Sequence, residues 1–230
     1  LQILNGFIDK IRDKSNVAIV NGSTRNLVND EGLSLAFMHL VSLLGFIAVT
    51  SKENKYSIQS KNGINIIIEC IKIYNGVSSY VVSTCLSTLA SLIFNYDENK
   101  KILSAHIDLI VIIMGKHIKD KRTIENGLLC LSHLSDYRHE INTNITKIIH
   151  VIKLSVNINN DNNNSNNNSN TNNDMKNANI LQYGSSLIGN LFVENIETGN
   201  KKSSTTNDNN NPIIDVKNDN TIDILNILLK

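Results

Sequence analysis

Tryptophan is absent from this 230-residue chain, and aromatic side chains of all kinds make up only 5% of it. That shortage disfavours a sandwich of aromatic-rich strands, whereas the abundance of Ile, Leu and Asn suits helices packed through aliphatic ridges. Cysteine is scarce too. Cys70, Cys85 and Cys130 stand isolated in apolar segments and are odd in number, so they read as buried thiols in a reducing compartment. Neither sign of charge is in excess: 22 Lys and Arg face 21 Asp and Glu, a formal +1, and no long-range field draws nucleic acid or an anionic membrane to the whole molecule. Long apolar runs are missing as well. The longest, Leu109 to Met114, falls far short of the roughly 18 residues that suggest a membrane helix. No transmembrane segment is therefore expected, and the compartment reads as cytoplasmic or nuclear. The sequence opens at Leu1 and closes in the apolar stretch Ile224 to Leu229, which is expected of a piece of a longer protein.

Catalytic signatures are also wanting. There is no Gly-rich phosphate loop, no Gly-x-Ser-x-Gly elbow and no His-Glu-x-x-His, and Asp97, Glu98, Asp108, Asp120, Glu125 and Asp136 fall mostly at expected helix ends, where capping and solvation account for them. Cys130, His133 and His139 do not make the four convergent ligands that a structural metal site needs. The expectation is a non-enzyme with no catalytic residue, cofactor, metal or small-molecule substrate.

What is present is hydrophobic surface, 41% of residues, arranged at helical spacing. Leu1, Ile3, Leu4, Phe7, Ile8 and Ile11 mark one face of a short helix, and Val17 to Val20 read as a brief apolar plug. Glu31 to Thr50 is apolar on most sides, as expected of a buried helix. Asn62-Gly63 then stops a short helix, the glycine supplying a left-handed residue, and Asn75-Gly76 makes a turn. Short, medium and long helices come in order (Tyr56 to Lys61, Ile64 to Ile73, Val77 to Phe94) and recur as Glu98 to His106, Ile107 to Ile118 and Thr123 to Ser135. A third round begins with Tyr137 to Thr143 and Ile145 to Val156. The β-branched medium segments leave open a reading as strands of an alternating α/β sheet, but no Gly-rich turn succeeds them.

The long segments contain a repeated string. Leu44-Gly45-Phe46-Ile47-Ala48, Leu86-Ser87-Thr88-Leu89-Ala90, Leu131-Ser132-His133-Leu134-Ser135 and Ile188-Gly189-Asn190-Leu191-Phe192 align as aliphatic, small, variable, aliphatic, small or apolar, at spacings of 42, 45 and 57 residues. The first two spacings suit helical repeats of roughly 40 to 47 residues. The third carries an Asn-, Ser- and Thr-rich tract, 157–179, expected to be a disordered insert because it has no apolar surface to offset its ordering entropy. A second polar insert is expected at 199–211. The repeat units then fall at about 1–50, 51–97, 98–136, 137–196 and 197–230.

With Glu98-Asn99-Lys100-Lys101-Ile102 coming after Leu86-Ser87-Thr88-Leu89-Ala90-Ser91-Leu92, and Glu53-Asn54-Lys55 occupying the same place one repeat earlier, the chain resembles the armadillo repeat family. Related HEAT-type repeats share such degenerate motifs. The resemblance implies an all-α, right-handed solenoid of about four three-helix repeats, incomplete at both ends, whose third helices line a concave groove for a partner protein or extended peptide. The family's Trp and Asn pairs carry over to Ser42 and Phe46, Thr84 and Thr88, Leu129 and His133, and Ser186 and Asn190, of which only Asn190 matches. Recognition of basic peptides as in nuclear-transport adaptors is thereby disfavoured. In this reading Leu86, Leu89 and Ala90 pack between repeats, whereas Phe46, Thr88, His133 and Asn190 face the groove. The expected function is a protein-binding scaffold, with regulation of a small GTPase as the alternative that some such solenoids imply. A basic cluster at Lys116, Lys119, Lys121 and Arg122 is a third candidate surface, but no aromatic side chains interleave with it as base stacking requires, so nucleic acid is a disfavoured partner.

Overall fold

A computed structural model describes residues 6, 31–164 and 177–201. Among them every regular element is an α-helix and none is a strand, so the β-branched medium segments are helical. The elements are α1 (Glu31–Thr50), α2 (Lys52–Ser60), α3 (Gly63–Tyr74), α4 (Ser79–Ile93), α5 (Asp97–Ser104), α6 (Ile107–Lys116), α7 (Lys121–His133), α8 (Arg138–Asn164) and α9 (Ala178–Lys201). The chain divides into two compact units, Leu1–Leu103 and Ser104–Lys230. The amphipathic segment at Leu1 to Ile11 (apart from Gly6), the plug at Val17 to Val20 and the apolar stretch after Pro212 lie outside the described residues.

In the first unit α1 lies against α4, α3 packs on α4, and α2 bridges α1 and α3. Phe37 of α1 stacks on Tyr74 of α3 with ring centroids 5.6 Å apart, and Val41, Ile67, Ile71, Val82 and Leu86 of the same unit are fully buried. Each such fully buried aliphatic side chain contributes roughly 2 kcal/mol. The α1 and α4 backbones approach closely at Gly45, where a Cβ would stand 3.0 Å from Thr88 Oγ1 and 3.3 Å from Thr88 Cα. Side-chain caps start the helices: Ser51 Oγ accepts from Asn54 N at 3.2 Å and Ser78 Oγ from Val81 N at 3.4 Å. The turn at Asn62-Gly63 differs from expectation. Asn62 takes the left-handed conformation, φ 61°, and Gly63 opens α3 because a Cβ there would meet Ile58 O at 2.8 Å. Gly76 does adopt positive φ, 97°.

In the second unit α6 packs on α7 and α8, and α9 packs on α7 and α8. Asp120 caps α7, its carboxylate accepting from Arg122 N at 3.2 Å and from Thr123 Oγ1 at 3.0 Å. The short and medium helices expected at Tyr137 to Thr143 and Ile145 to Val156 are one continuous helix, α8. No glycine or proline interrupts the sequence there, and buried Asn144 is satisfied without a break: its Nδ2 donates to Glu140 O at 3.1 Å and to Asp108 Oδ1. The same helix continues through Asn164, so 157–164 of the tract expected to be disordered is helical, and Ala178 and Asn179 already belong to α9. Residues 165–176 lie outside the described structure. Of the second polar insert, Gly199 to Lys201 end α9 and the rest is likewise outside it.

Candidate functional site

Three internal equivalences fix which residues of the long helices share a position. Asn54 Nδ2 donates to Ile47 O at 3.2 Å, and Asn99 Nδ2 to Leu92 O at 2.8 Å, the same bond 45 residues apart. The caps Ser78 and Asp120 relate α4 to α7 at 42 residues. Gly127 of α7 and Gly184 of α9, 57 residues apart, each receive a side chain from a helix that precedes their own: Met114 Sδ would be 2.6 Å from a Cβ at Gly127, and Ile152 Cδ1 3.2 Å from one at Gly184. Burial agrees with this register. Phe37, Val41, Gly45 and Ala48 of α1 are buried, as are Val82, Leu86, Ala90 and Ile93 of α4, whereas Leu35, Ser42 and Val49 are exposed, as are Tyr80, Ser87 and Phe94.

The spacing from α1 to α4 is therefore 45 rather than 42, and from α4 to α7 it is 42 rather than 45. This moves one of the four pairs expected in the groove. Thr88 is only 2% exposed, and its hydroxyl donates to Val41 O of α1 at 3.0 Å. It binds the neighbouring helix and faces no open surface. Thr84 is half-buried, its hydroxyl bonded to Tyr80 O. The residues of α4 that match Ser42 and Phe46 are Ser87 and Ser91. Among the first pair, Ser42 is exposed and Phe46 is 72% exposed, the largest exposure of any big apolar side chain among the described residues.

The first unit thus has an outward face made from two adjacent helices: Leu35, Ser42, Phe46 and Val49 on α1, and Tyr80, Ser87, Ser91 and Phe94 at the end of and along α4. Large apolar groups flank a middle of serines. The Ser91 hydroxyl donates to Ser87 O at 3.1 Å, which leaves its oxygen as an acceptor toward solvent. Neither helix has a charged side chain beyond Glu31 at the start of α1; His39 is the only other titratable group of α1, and α4 has no Asp, Glu, Lys, Arg or His. Leu35, Val49, Tyr80 and Phe94 were not legible as members of this face from the repeated string. The two Glu-Asn-Lys tripeptides, 45 residues apart, carry the signal that would have found them.

The second unit brings the other two pairs together on the packed helices α7 and α9. Leu129 and His133 are half-buried, Ser186 and Asn190 exposed. Asn190 Nδ2 donates to Ser135 Oγ, just past α7, at 3.2 Å, and its backbone carbonyl accepts from Arg138 at the start of α8 at 3.0 Å, so this residue ties α9 to the turn between α7 and α8. In the basic cluster Lys116, Lys119 and Arg122 are exposed, and Lys121 pairs with Glu125 at 3.4 Å. With Asp120 capping α7 in its midst, the cluster is of mixed sign. A shallow depression of about 470 Å³ between α6 and α8 has an apolar floor of Val111 and Val151 and is edged by Lys147 and His150. Among the described residues no three His, Cys, Asp or Glu side chains converge as a metal site, and no helix is long and apolar enough to cross a membrane. Cys70, Cys85 and Cys130 are all buried free thiols, and burial, with Cys70 nearby, pushes the Cys85 thiol well above its ordinary pKa.

Comparison with known protein families, curated proteins and solved structures finds no match to this chain.

Proposed function

We propose that the chain is a segment of an armadillo-like α-solenoid that acts as a non-catalytic protein-binding scaffold, and that the outward face of α1 and α4 is where it takes its partner. The observation that carries this reading is the uncharged apolar surface made by Leu35, Phe46, Val49, Tyr80 and Phe94 on two adjacent helices. Exposed apolar groups scattered singly need no explanation, but several on the same side of two packed helices support an interaction surface. The lack of charge defines the partner. A basic or acidic peptide would find no counter-ion on either helix, so the partner is a protein segment presenting apolar side chains, with backbone N–H groups placed for the serine oxygens. An apolar face of this kind needs no Trp and Asn ladder.

Selection of short peptides from a display library on the purified chain tests the proposal. Apolar, weakly charged sequences should be enriched, and their binding should fall at least tenfold in a Phe46→Ser, Phe94→Ser double variant. It should change less than twofold when salt is raised, since no ion pair contributes. Enrichment of charged peptides, or binding indifferent to the two phenylalanines, would overturn it.

A further inference from the structure

The outward stripes of α3 and α6 share a spacing and differ in chemistry. On α3 the outward residues Asn65, Glu69 and Lys72, spaced by four and three, are polar, and Lys72 Nζ pairs with Glu69 Oε1 at 2.9 Å. On α6 the residues at the same spacing are Asp108, Ile112 and Gly115, all exposed. In place of an ion pair α6 thus shows water an isoleucine, 49% exposed, and a glycine whose Cβ would meet nothing within 4 Å. Ile112 and Gly115 line one side of the depression of about 470 Å³ between α6 and α8, over the apolar floor of Val111 and Val151, and Thr146, Lys147 and His150 of α8 line the other. The charge at this edge is of one sign. Neither 109–116 nor 145–160 contains an acidic residue, and the Asp108 carboxylate, one turn before Ile112, accepts from Asn144 of α8.

We propose that the groove between α6 and α8 docks an acidic amphipathic helix of a partner protein, which seats an apolar side chain in the space beside Gly115 and sets carboxylates against Lys147 and His150. Two packed helices leave a groove that the side-chain ridge of a third fills. Lys147 and His150 stand three residues apart on α8, about 4.5 Å of rise, which is the separation of carboxylates at positions i and i+3 of an incoming helix. The floor supplies apolar contact, and the two basic side chains select the sign of the partner and fix its register. A fatty-acid carboxylate shares this chemistry, but a shallow depression leaves much of a free alkyl chain in water, whereas small-molecule sites enclose most of their ligand. The groove lies within the second unit and selects for charge, unlike the uncharged face of α1 and α4, so the two readings stand or fall separately.

A displayed library of helix-forming peptides, selected on the full chain carrying Phe46→Ser and Phe94→Ser so that the α1 and α4 face does not contribute, tests the proposal. Peptides with acidic residues three or four apart beside apolar ones should be enriched. Binding of the leading peptide should fall at least tenfold in Gly115→Leu, which fills the groove, and at least fivefold in Lys147→Glu, but less than twofold in Lys61→Glu, an exposed position of the first unit. Gly115→Leu should leave the thermal midpoint unchanged or raised, since the space is empty and leucine is the better helix former, so that lost binding is not lost folding. No enrichment, enrichment of basic peptides, or binding indifferent to Gly115→Leu and Lys147→Glu would overturn the proposal. Shifts of the Ile112 and Val151 methyl resonances with decanoate but not with the peptide would make the occupant a lipid carboxylate and overturn it equally.

Discussion

Lys55 of α2 places its ammonium on the Phe94 carbonyl at the C-terminal end of α4, 5.6 Å from the centre of the ring of the same residue. A cation there answers the partial negative charge of the helix end and satisfies a carbonyl that has no partner within the helix. Lys55 is nearly covered, at 5% exposure, and that burial, with Lys52 adding, holds its pKa below the ordinary 10.5. Lys55→Ala should cost about 2 kcal/mol in urea unfolding, the scale of a lost hydrogen bond to a charged group. A loss no larger than that of exposed Lys52→Ala would show that the contact contributes nothing.

The two equivalent asparagines should differ in weight. Asn99 is fully buried and Asn54 half-buried, although each donates to the carbonyl seven residues before it. Removing Asn99 leaves Leu92 O without this donor away from water, so Asn99→Ala is expected to cost about 2 kcal/mol and Asn54→Ala under about 1 kcal/mol. Equal losses would mean that solvent reaches both bonds alike.

Gly127 is expected to be intolerant of any side chain. A Cβ would press on Met114 Cγ and Sδ, and overpacking of this kind costs about 1–3 kcal/mol. The loss in Gly127→Ala should be recovered at least in half by adding Met114→Val, which vacates the space. Failure of the second substitution to rescue the first would place the strain elsewhere.

Acid should weaken the second unit through His117. Its Nε2 is buried without a hydrogen-bond partner, and burial lowers its pKa below 6.5, with Lys116 adding and Asp120 opposing. The unfolded chain therefore takes up this proton first. Stability should fall as pH drops from 6.5 to the lowered pKa and be level with respect to this group below it. His117→Gln should flatten the urea midpoint between pH 7.5 and 5.5, and an unaltered slope would exclude the imidazole as the cause.

Much of the architecture was legible because it rests on local pattern. Helical spacing placed α1, α3, α4, α6 and α7 within a few residues of where they lie, and the repeat settled the medium segments as helices despite their β-branched content. The continuity of α8 was not read from the sequence, where Asn144 stands between two expected helices; in the fold its buried amide is satisfied by Glu140 and by Asp108, 36 residues away. Of the residues expected in a groove, Ser42, Phe46, Ser186 and Asn190 are exposed and Leu129 and His133 half-buried, but the string Leu-Ser-Thr-Leu-Ala aligned on Leu-Gly-Phe-Ile-Ala three residues out of step. Three residues is nearly one turn, so the aliphatic positions still matched while Thr88 moved from surface to interface. A hydrogen bond across helices, Thr88 to Val41, corrects the step, and no composition of one helix contains it.

Gly184 stands 57 residues after Gly127, and Gly127 only 42 after Cys85, yet all three take a neighbour from the helix or segment before them in the same manner. The fifteen additional residues fall between Gly127 and Gly184, a span that includes the long helix α8, and they leave no trace in the register of α9. Contour length and stacking position are thus decoupled in that span.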